Sequence, residues 1–358
     1  MNTITSFKNQ NNSYIPELIE QLNSDYSSHN QYDFPDKIRF IDLFAGIGGM
    51  RLGFSRFNSE CVFSSEWDKY AQITYEANFH EKPFGDIHSI SVNDVPKHDI
   101  LLAGFPCQPF STIGKREGFQ HLTQGNLFSN IANILAAKKP FCFLLENVPG
   151  LVTHNQGKTW QTILKTLDFL GYDVRYSILD AALFDLPQVR ERIYLVGFYR
   201  QYLHQRVNFL FPLGQENDVF IDRFIESNLT GYSISKHLQD TYLFKKPDGR
   251  PQIVDNQSKV KVKTFVSTYH KIQRLTGTFV RDGETGLRLL SKNECKSLMG
   301  FPDNFTFPVS RTQMYRQLGN SVAIPVLKSI ADNIYKTFIN CAIPVGSGGN
   351  GEHLTPYS

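Results

Sequence analysis

The chain has 358 residues, of which 41% are hydrophobic and 20% charged, and its formal net charge is +3. This composition is ordinary for a globular protein that buries one large core or two modest ones, and a charge this small does not by itself indicate a nucleic-acid partner. No run of about 18 apolar residues is present, which excludes a membrane span, and the N-terminus lacks the apolar core of a secretory leader, which favours a cytoplasmic location.

Residues 1–36 are rich in Asn, Ser and Tyr, and we interpret them as an extension that precedes the main fold. From residue 38 to residue 199, short apolar runs alternate with longer mixed segments. Continuous apolar runs are typical of strands buried on both faces. The predicted strands are Ile38–Phe44, Cys61–Ser64, Ile100–Phe105, Phe141–Leu145, Val174–Leu179 and Arg192–Phe198. The predicted helices between them are Asp68–Phe79, Leu127–Ala137 and Thr159–Leu170. For residues 37–212 this alternation predicts an α/β fold with a doubly wound parallel sheet.

The sequence changes character after Pro212. It is then polar, basic and turn-rich as far as about residue 286, with no clear helical period, and predicts a separate, smaller domain. Two further helices are predicted, Leu289–Met299 and Val322–Phe338. The first has Ser291 as its N-cap and Glu294 three residues on, which together form a capping box. The glycine-rich tail, residues 346–358, predicts disorder.

Between Lys245 and Arg274 there are eight Lys or Arg residues and two acids. Taken alone, such a run is more often a plain solvated face than a binding surface. In a chain with other nucleic-acid signals it becomes a candidate surface for phosphate contacts.

The first predicted strand is followed by a glycine-rich turn that contains Gly46 and Gly48. Glycines at a strand-to-helix turn let a ligand approach the backbone at the positive end of a helix. A dinucleotide-binding loop would carry a third glycine where this chain has Arg51, so the turn alone is a weak signal.

Two acidic groups follow the next predicted strands. Glu66 can accept hydrogen bonds from both hydroxyls of a ribose, and Trp67 beside it either packs against an adenine or is a core aromatic. Asp86, at the end of a predicted third strand in Gly85–Ile87, offers a carboxylate to an exocyclic amine. Together with the glycine turn, these residues predict a site for an adenosyl ligand.

The five cysteines are widely scattered, and none has the spacing of a metal site or a disulfide framework. Cys142, inside an apolar run, predicts a buried small hydrophobe. Cys107 differs, because it lies in a Pro-bounded turn at the carboxyl end of a predicted strand, where open α/β sheets bind their ligands. That position makes it a candidate nucleophile.

Glu146 ends the next predicted strand. Burial there would raise its pKa and allow it to donate a proton. A thiolate and a proton donor side by side suit the methylation of cytosine at C5. Addition of the Cys107 thiolate at C6, with Glu146 engaging N3, makes C5 nucleophilic enough to accept a methyl group from a sulfonium.

These motifs, in this order, resemble those of the cytosine-C5 DNA methyltransferases, especially the compact bacterial modification enzymes. The resemblance covers about residues 38–335, and its most specific elements are Pro106-Cys107-Gln108 and Glu146-Asn147-Val148. The further matching motifs are Asp42–Gly49, Glu66-Trp67, Gly85–Ile87, Gln188–Arg192 and Gly319–Val322.

The resemblance implies roles for individual residues. Cys107 is the nucleophile, Glu146 and Arg192 hold a flipped cytosine, and Arg190 and Gln188 support the site. S-adenosylmethionine is the methyl donor and S-adenosylhomocysteine the product. The residues implied to line the donor site are Phe44, Gly46, Ile47, Gly48, Glu66, Trp67, Asp86, Ile87, Pro106, Leu127, Asn320 and Ser321. Without the resemblance, Arg190 and Arg192 would be interpreted as a surface pair, and Asn320-Ser321 as a helix cap.

The resemblance also implies a mostly parallel, Rossmann-like sheet and a double-stranded DNA substrate. Residues 111–125 are then a loop that closes over DNA, residues 213–304 the target-recognition domain, and residues 305–345 a return to the catalytic domain. The candidate DNA contacts are Ser111, Lys115, Lys259, Lys261, Lys263 and Arg274. We expect a monomer without a metal ion, and a cognate restriction endonuclease that acts on the same site without forming a stable complex.

Three alternatives remain open at the level of sequence. A tRNA cytosine methylase of the same family would share Cys107, but the large basic region argues against it. A catalytically silent DNA-binding member is disfavoured by the intact set of Cys107, Glu146 and Arg192. A nicotinamide oxidoreductase is disfavoured by Arg51 and by the lack of a hydride-transfer site.

Overall fold

The structure is a computed structural model that describes residues 32, 35–56, 58–105, 127–203 and 207–342. Within these ranges the central sheet has six strands. They are β1 (Ile38–Leu43), β2 (Ser59–Ser65), β3 (Ile100–Gly104), β4 (Cys142–Asn147), β5 (Tyr172–Asp180) and β6 (Glu191–Tyr199). Their order is β2-β1-β3-β4-β6-β5. Strands β1 to β4 pair in parallel, and β6 runs antiparallel to both of its neighbours. The predicted α/β fold with a mostly parallel sheet is confirmed.

The described part of the chain has eight α-helices, and those packed on the sheet cover both of its faces. The eight helices are α1 (Gly49–Phe54), α2 (Lys69–Phe79), α3 (Leu127–Lys138), α4 (Lys158–Phe169), α5 (Lys236–Leu238), α6 (Lys292–Met299), α7 (Arg311–Asn320) and α8 (Ile324–Ala342). Alternate strand residues point to opposite faces. On β3, Leu102 packs in the apolar cluster that contains α1 and α8, and Leu101 packs in the one that contains α3 and α4. Both faces are therefore buried, which explains the continuous apolar runs.

The C-terminal half adds a small parallel sheet of β7 (Gln252–Val254) and β8 (Thr278–Val280). Val254 and Phe279 from these strands are buried in the same cluster as the first face of the large sheet. The predicted domain boundaries at residues 212 and 304 stay a prediction. Helix α6 has the predicted capping box of Ser291 and Glu294, although the helix begins at Lys292 rather than Leu289.

One predicted strand is absent from the described residues. Gly85–Ile87 does not end a third strand, because only an isolated bridge joins Phe84 to Ser65 on β2. Pro83 and Gly85 on either side of Phe84 are poor strand formers. Asp86 instead caps a short 3₁₀ turn, where its side chain accepts a hydrogen bond from the backbone of His88 at 3.0 Å. No helix in the described ranges is long and apolar enough to cross a membrane.

Candidate active site at the carboxyl edge of the sheet

The carboxyl ends of β1 to β4 open into a cavity of about 650 Å³. Ligands of open α/β sheets bind at this edge, and the volume is in the range of small-molecule sites. The cavity brings together most of the described residues that the sequence singled out for the donor and the base. Those that line it are Phe44, Gly46, Ile47, Glu66, Trp67, Asp86, Ile87, Leu127, Glu146, Arg190, Arg192, Asn320 and Ser321.

The glycine-rich turn between β1 and α1 has a left-handed backbone at Phe44, Gly46 and Gly48. Gly48 does not line the cavity. A Cβ atom at Gly48 would lie 2.1 Å from the ring of Phe79, so this glycine allows the turn to pack on helix α2. One side of the turn thus packs against Phe79, and the other side faces the cavity.

Glu66 fixes the same turn from the end of β2. One carboxylate oxygen accepts a hydrogen bond from the backbone N–H of Gly46 at 2.7 Å, and the other accepts from that of Asp68 at 2.8 Å. Burial raises the pKa of Glu66, and these backbone donors act in the opposite direction. Each oxygen keeps a lone pair that a ligand hydroxyl can use. Trp67 is 70% exposed, so the alternative of a core aromatic is wrong.

Buried polar atoms without a hydrogen-bond partner gather at this cavity. Among the described residues that line it, they are both carboxylate oxygens of Asp42, Nε of Arg190, Oε1 of Gln313 and Nε2 of Gln317. Burial raises the pKa of Asp42 well above its usual range. Unpaired buried polar groups are rare because they cost stability. The cavity is therefore suited to a polar ligand.

Sequence reasoning assigned no role to Asp42, Gln313 or Gln317. Asp42 ends an apolar strand as Glu146 does, so the same signal could have identified it. Gln313 and Gln317 lie one helical turn apart on α7, which was not predicted. The Gln317 amide is oriented by the buried hydroxyl of Thr74, which lies 2.9 Å from Oε1.

The catalytic candidate Glu146 lies near the end of β4, between Gly104 of β3 and Tyr194 of β6. Its carboxylate is 3.2 Å from Nε of Arg192, and the residue is 8% exposed. Burial raises the pKa of Glu146, while the charges of Arg192 and Arg190 oppose the rise. A carboxyl group in this setting can carry a proton and donate it to a ligand.

Asn147 follows Glu146 and fixes the end of the neighbouring strand. Its Nδ2 donates to the carbonyl of Phe105 at 2.8 Å, and its Oδ1 accepts from the backbone N–H of Val148 at 2.8 Å. The predicted residues Pro106, Cys107, Ser111 and Lys115 lie outside the described residues.

Arg190 and Gln188 are buried, and their side chains bond to backbone groups. Arg190 donates to the carbonyls of Phe265, Gly319 and Ser321 at 2.8, 3.1 and 2.6 Å. Gln188 accepts from the N–H of Phe265 at 2.6 Å and donates to the carbonyl of Leu298 at 2.8 Å. Burial lowers the pKa of Arg190 to about 9. The interpretation of Arg190 as a surface residue is therefore wrong.

Within the basic stretch, two of the four predicted DNA contacts are committed to other partners. Arg274 is 5% exposed, donates to the carbonyl of Leu243 at 2.9 Å and pairs with Asp248. Nζ of Lys261 donates to the carbonyl of Ala182 and, at 2.8 Å, to Oδ1 of Asn217. We therefore correct both assignments to structural roles, because their donors are used inside the protein. Lys259 and Lys263 are exposed, as are the other basic residues of the stretch, Lys245, Lys246, Arg250 and Lys271. Nζ of Lys263 donates to the carbonyl of Leu275 at 3.2 Å, but unlike Lys261 this residue is exposed to solvent.

A family model described as C-5 cytosine-specific DNA methylase matches residues 38–336. The chain is 55% identical to the Type II methyltransferase M.MspI of Moraxella sp, over 88% of this chain and 73% of that protein. It is 60% identical to the Type II methyltransferase M.BsuFI of Bacillus subtilis, over 82% of this chain and 72% of that protein. A solved structure of S. pombe Dnmt2 methyltransferase covers 85% of this chain and 99% of its own, with a TM-score of 0.67 at 20% identity, and so shares the fold.

Proposed function

Because this chain belongs to the C-5 cytosine-specific DNA methylases, we propose that its cavity binds S-adenosylmethionine beside a flipped cytosine and that Cys107 attacks the base. The observation that carries the proposal is the buried Glu146–Arg192 pair on β4 and β6. It adjoins β3, the strand that leads towards Cys107. Flipping is required because C5 and C6 are unreachable while the base is stacked in a duplex.

The residues of the cavity fit the donor. Glu66 would bind the ribose hydroxyls, Asp86 the exocyclic amine of adenine, and Trp67 the adenine ring. Buried Asp42, whose raised pKa favours the protonated carboxyl, adds a hydrogen-bonding group to the cavity. When bound, the donor would supply an electrophilic methyl group, with S-adenosylhomocysteine as the product. The remaining proposed donor contacts are Phe44, Gly46, Ile47, Ile87, Pro106, Leu127, Asn320 and Ser321.

The residues of this chain activate the base. The Cys107 thiolate forms a bond to C6, and the electron pair displaced from the C5–C6 bond makes C5 nucleophilic. Glu146 in its protonated form donates to N3 and so stabilises the charge that develops on the ring. Arg192 holds Glu146 and contacts the base. After C5 is methylated, loss of the C5 proton expels Cys107 and restores the aromatic ring.

The curated relatives named above are Type II methyltransferases, and we assign this chain the same role as the modification half of a restriction-modification system. Its substrate is then double-stranded DNA, and a cognate endonuclease cuts the same site when it is unmodified. The assignment of residues 213–304 as the target-recognition domain stays a proposal. The absence of a metal, the monomeric state and the cytoplasmic location also stay predictions.

Methylome sequencing of unmodified DNA exposed to the full chain tests this function. We expect 5-methylcytosine at one short duplex sequence, and no methyl transfer by Cys107→Ala. The variant should still bind DNA, because phosphate contacts rather than the nucleophile supply most of the affinity. Methylation of tRNA but not of duplex DNA would refute the proposed substrate.

A duplex with 5-fluorocytosine at the target position provides a second readout. Fluorine at C5 leaves no proton to lose, so the covalent adduct with Cys107 should persist through denaturing electrophoresis. Cys142→Ala is the matched control, since Cys142 is fully buried and should still allow the adduct to form. Full activity of Cys107→Ala would overturn the covalent mechanism.

A further inference from the structure

Three chain segments meet beside the carboxylate of Glu146. Arg190 lies on one of them, and its side chain donates hydrogen bonds to the other two. The segments are residues 187–190, which lead into β6, residues 262–267 from the basic half of the chain, and residues 319–321 at the end of α7. The proposed chemistry at the base makes no direct use of the Arg190 guanidinium. Its partners are backbone carbonyls, which points to a role in holding segments together.

The first contact joins residues 262–267 to residues 187–190. Both backbone polar groups of Phe265 are bound by side chains, with Gln188 accepting from its N–H at 2.6 Å and Arg190 donating to its carbonyl at 2.8 Å. The hydroxyl of Thr264 donates to the carbonyl of Val189 at 2.8 Å. The basic segment is therefore fixed to the strand that carries Arg192.

The second contact joins residues 262–267 to residues 319–321. The same guanidinium donates to the carbonyls of Gly319 and Ser321 at 3.1 and 2.6 Å. A Cβ atom at Gly319 would lie 2.2 Å from the backbone nitrogen of Ser267 and 2.3 Å from the carbonyl carbon of Val266. The two backbones are in direct contact without a side chain between them, so a shift of one would disturb the packing of the other.

The two ends of this junction face different ligands. Ser321 lines the donor cavity, and its hydroxyl lies against the glycine-rich turn, where a Cβ atom at Gly49 would be 2.7 Å away. On the other side, residues 262–267 include the exposed Lys263 and closely follow the exposed Lys259. We propose that Arg190 is a positioning residue that couples the binding of DNA to the binding of the methyl donor. This inference rests on the proposed function.

The physical reason is that a planar guanidinium with several fixed donors holds its acceptors in one geometry, whereas a lysine ammonium does not. A duplex that orders residues 262–267 would then also order Gly319 and Ser321 for the donor. Such coupling is reciprocal, so each ligand tightens the other by the same factor.

The test measures the Kd of S-adenosylhomocysteine by calorimetry, with and without a duplex carrying the site that methylome sequencing identifies. For the wild-type protein, we expect the duplex to lower the Kd of S-adenosylhomocysteine about tenfold, which is a typical coupling factor. Arg190→Lys keeps the charge next to Glu146 and should reduce the factor below about twofold. Thr264→Val removes one hydrogen bond of the junction and keeps Arg190, so it should give an intermediate coupling factor. It provides the test if Arg190→Lys does not fold.

The matched control is Tyr172→Phe. It removes a buried hydrogen bond from β5 to the carbonyl of Pro140 at 3.1 Å, outside the junction, and should lower stability while the coupling factor stays unchanged. An unchanged factor in both Arg190→Lys and Thr264→Val would overturn the inference, as would equal losses in Tyr172→Phe. If the unmodified protein binds both ligands without tightening, the coupling fails and the function stands. If it does not bind S-adenosylhomocysteine at all, the proposed function fails.

Discussion

Glu146 and Glu66 occupy equivalent positions at strand ends, but their carboxylates have different partners. The Glu66 carboxylate accepts two backbone N–H groups, whereas Glu146 has the side chain of Arg192 at 3.2 Å. Burial is the largest influence on both pKa values and raises them. Backbone donors favour the ionised form of Glu66 for ribose binding, and the apolar strand around Glu146 favours a proton. The two environments therefore suit these similar side chains to the different tasks that we propose for them.

Replacement of Glu146 by Gln tests this difference. Because the pKa of Glu146 is raised, the protonated form persists to higher pH than in an exposed Glu, and the rate should fall as pH rises through that pKa. Glu146→Gln should reduce kcat by about 10²-fold or more, since an amide donates a hydrogen bond but no proton. It should also remove the alkaline fall from the pH–rate profile.

Glu66→Gln is the control for that experiment. It changes a buried carboxylate at the end of β2, which β1 and β3 separate from β4, and should raise the KM for the donor without removing the alkaline fall. A Glu146→Gln enzyme with the wild-type profile would show that another group titrates.

At the scale of residues, the sequence located the carboxylates because a Glu or Asp that ends an apolar run is conspicuous. It did not predict the burial of Arg190 or Arg274. Their partners are mostly backbone carbonyls far away in the chain, such as Gly319 for Arg190 and Leu243 for Arg274. Carbonyls carry no signature in the side-chain sequence, so such contacts become visible only once the fold brings the segments together.

At the scale of elements, the strands were predictable because burial on both faces makes them continuous apolar runs. Helix α1 was missed because it has six residues and its N-cap, Gly48, provides no side-chain cap. Helix α7 was missed because Gln313 and Gln317 face the cavity and interrupt its apolar period. The reversal of β6 could not be predicted, since a buried strand has the same composition in either direction.

Helix α6 is attached to the basic half of the chain by a fully buried ion pair. Both carboxylate oxygens of Glu294 accept hydrogen bonds from Arg288 at 2.8 Å, and Glu294 also accepts from the backbone N–H of Glu226 at 2.9 Å. Arg288 further pairs with Asp282 at 2.9 Å. The Arg288 side chain thus links helix α6 to the loops that contain Glu226 and Asp282.

Arg288→Met should lower the free energy of unfolding by about 3–5 kcal/mol, because it leaves the Glu294 carboxylate buried without its cation. The double variant Arg288→Met/Glu294→Met should recover part of this loss. Urea unfolding followed by circular dichroism measures both. The control is Lys37→Ala, which breaks the exposed pair with Glu60 and should cost at most about 1 kcal/mol. A loss as small for Arg288→Met would contradict the assigned role.

At the scale of the whole molecule, the chain is nearly neutral, yet exposed positive charge lies between residues 245 and 271. The segment that carries Lys263 is bonded to the strand leading to Arg192. A duplex held by this surface would therefore lie close to the cavity that we propose receives the base. The position of the charge, rather than the net charge of +3, favours DNA binding.

Salt dependence of DNA affinity tests which cations contact phosphate. Each phosphate contact contributes about 0.9 to the slope of log K against log salt concentration, because binding releases condensed counterions. Lys259→Ala and Lys263→Ala should each reduce the slope by about that amount. Lys261→Ala should leave the slope unchanged, since its ammonium is bound to Ala182 and Asn217.

The control for a general loss of charge is Lys336→Ala, because Lys336 is an exposed cation on α8. Equal reductions in all four variants would mean that the protein's overall field, and not this surface, attracts DNA.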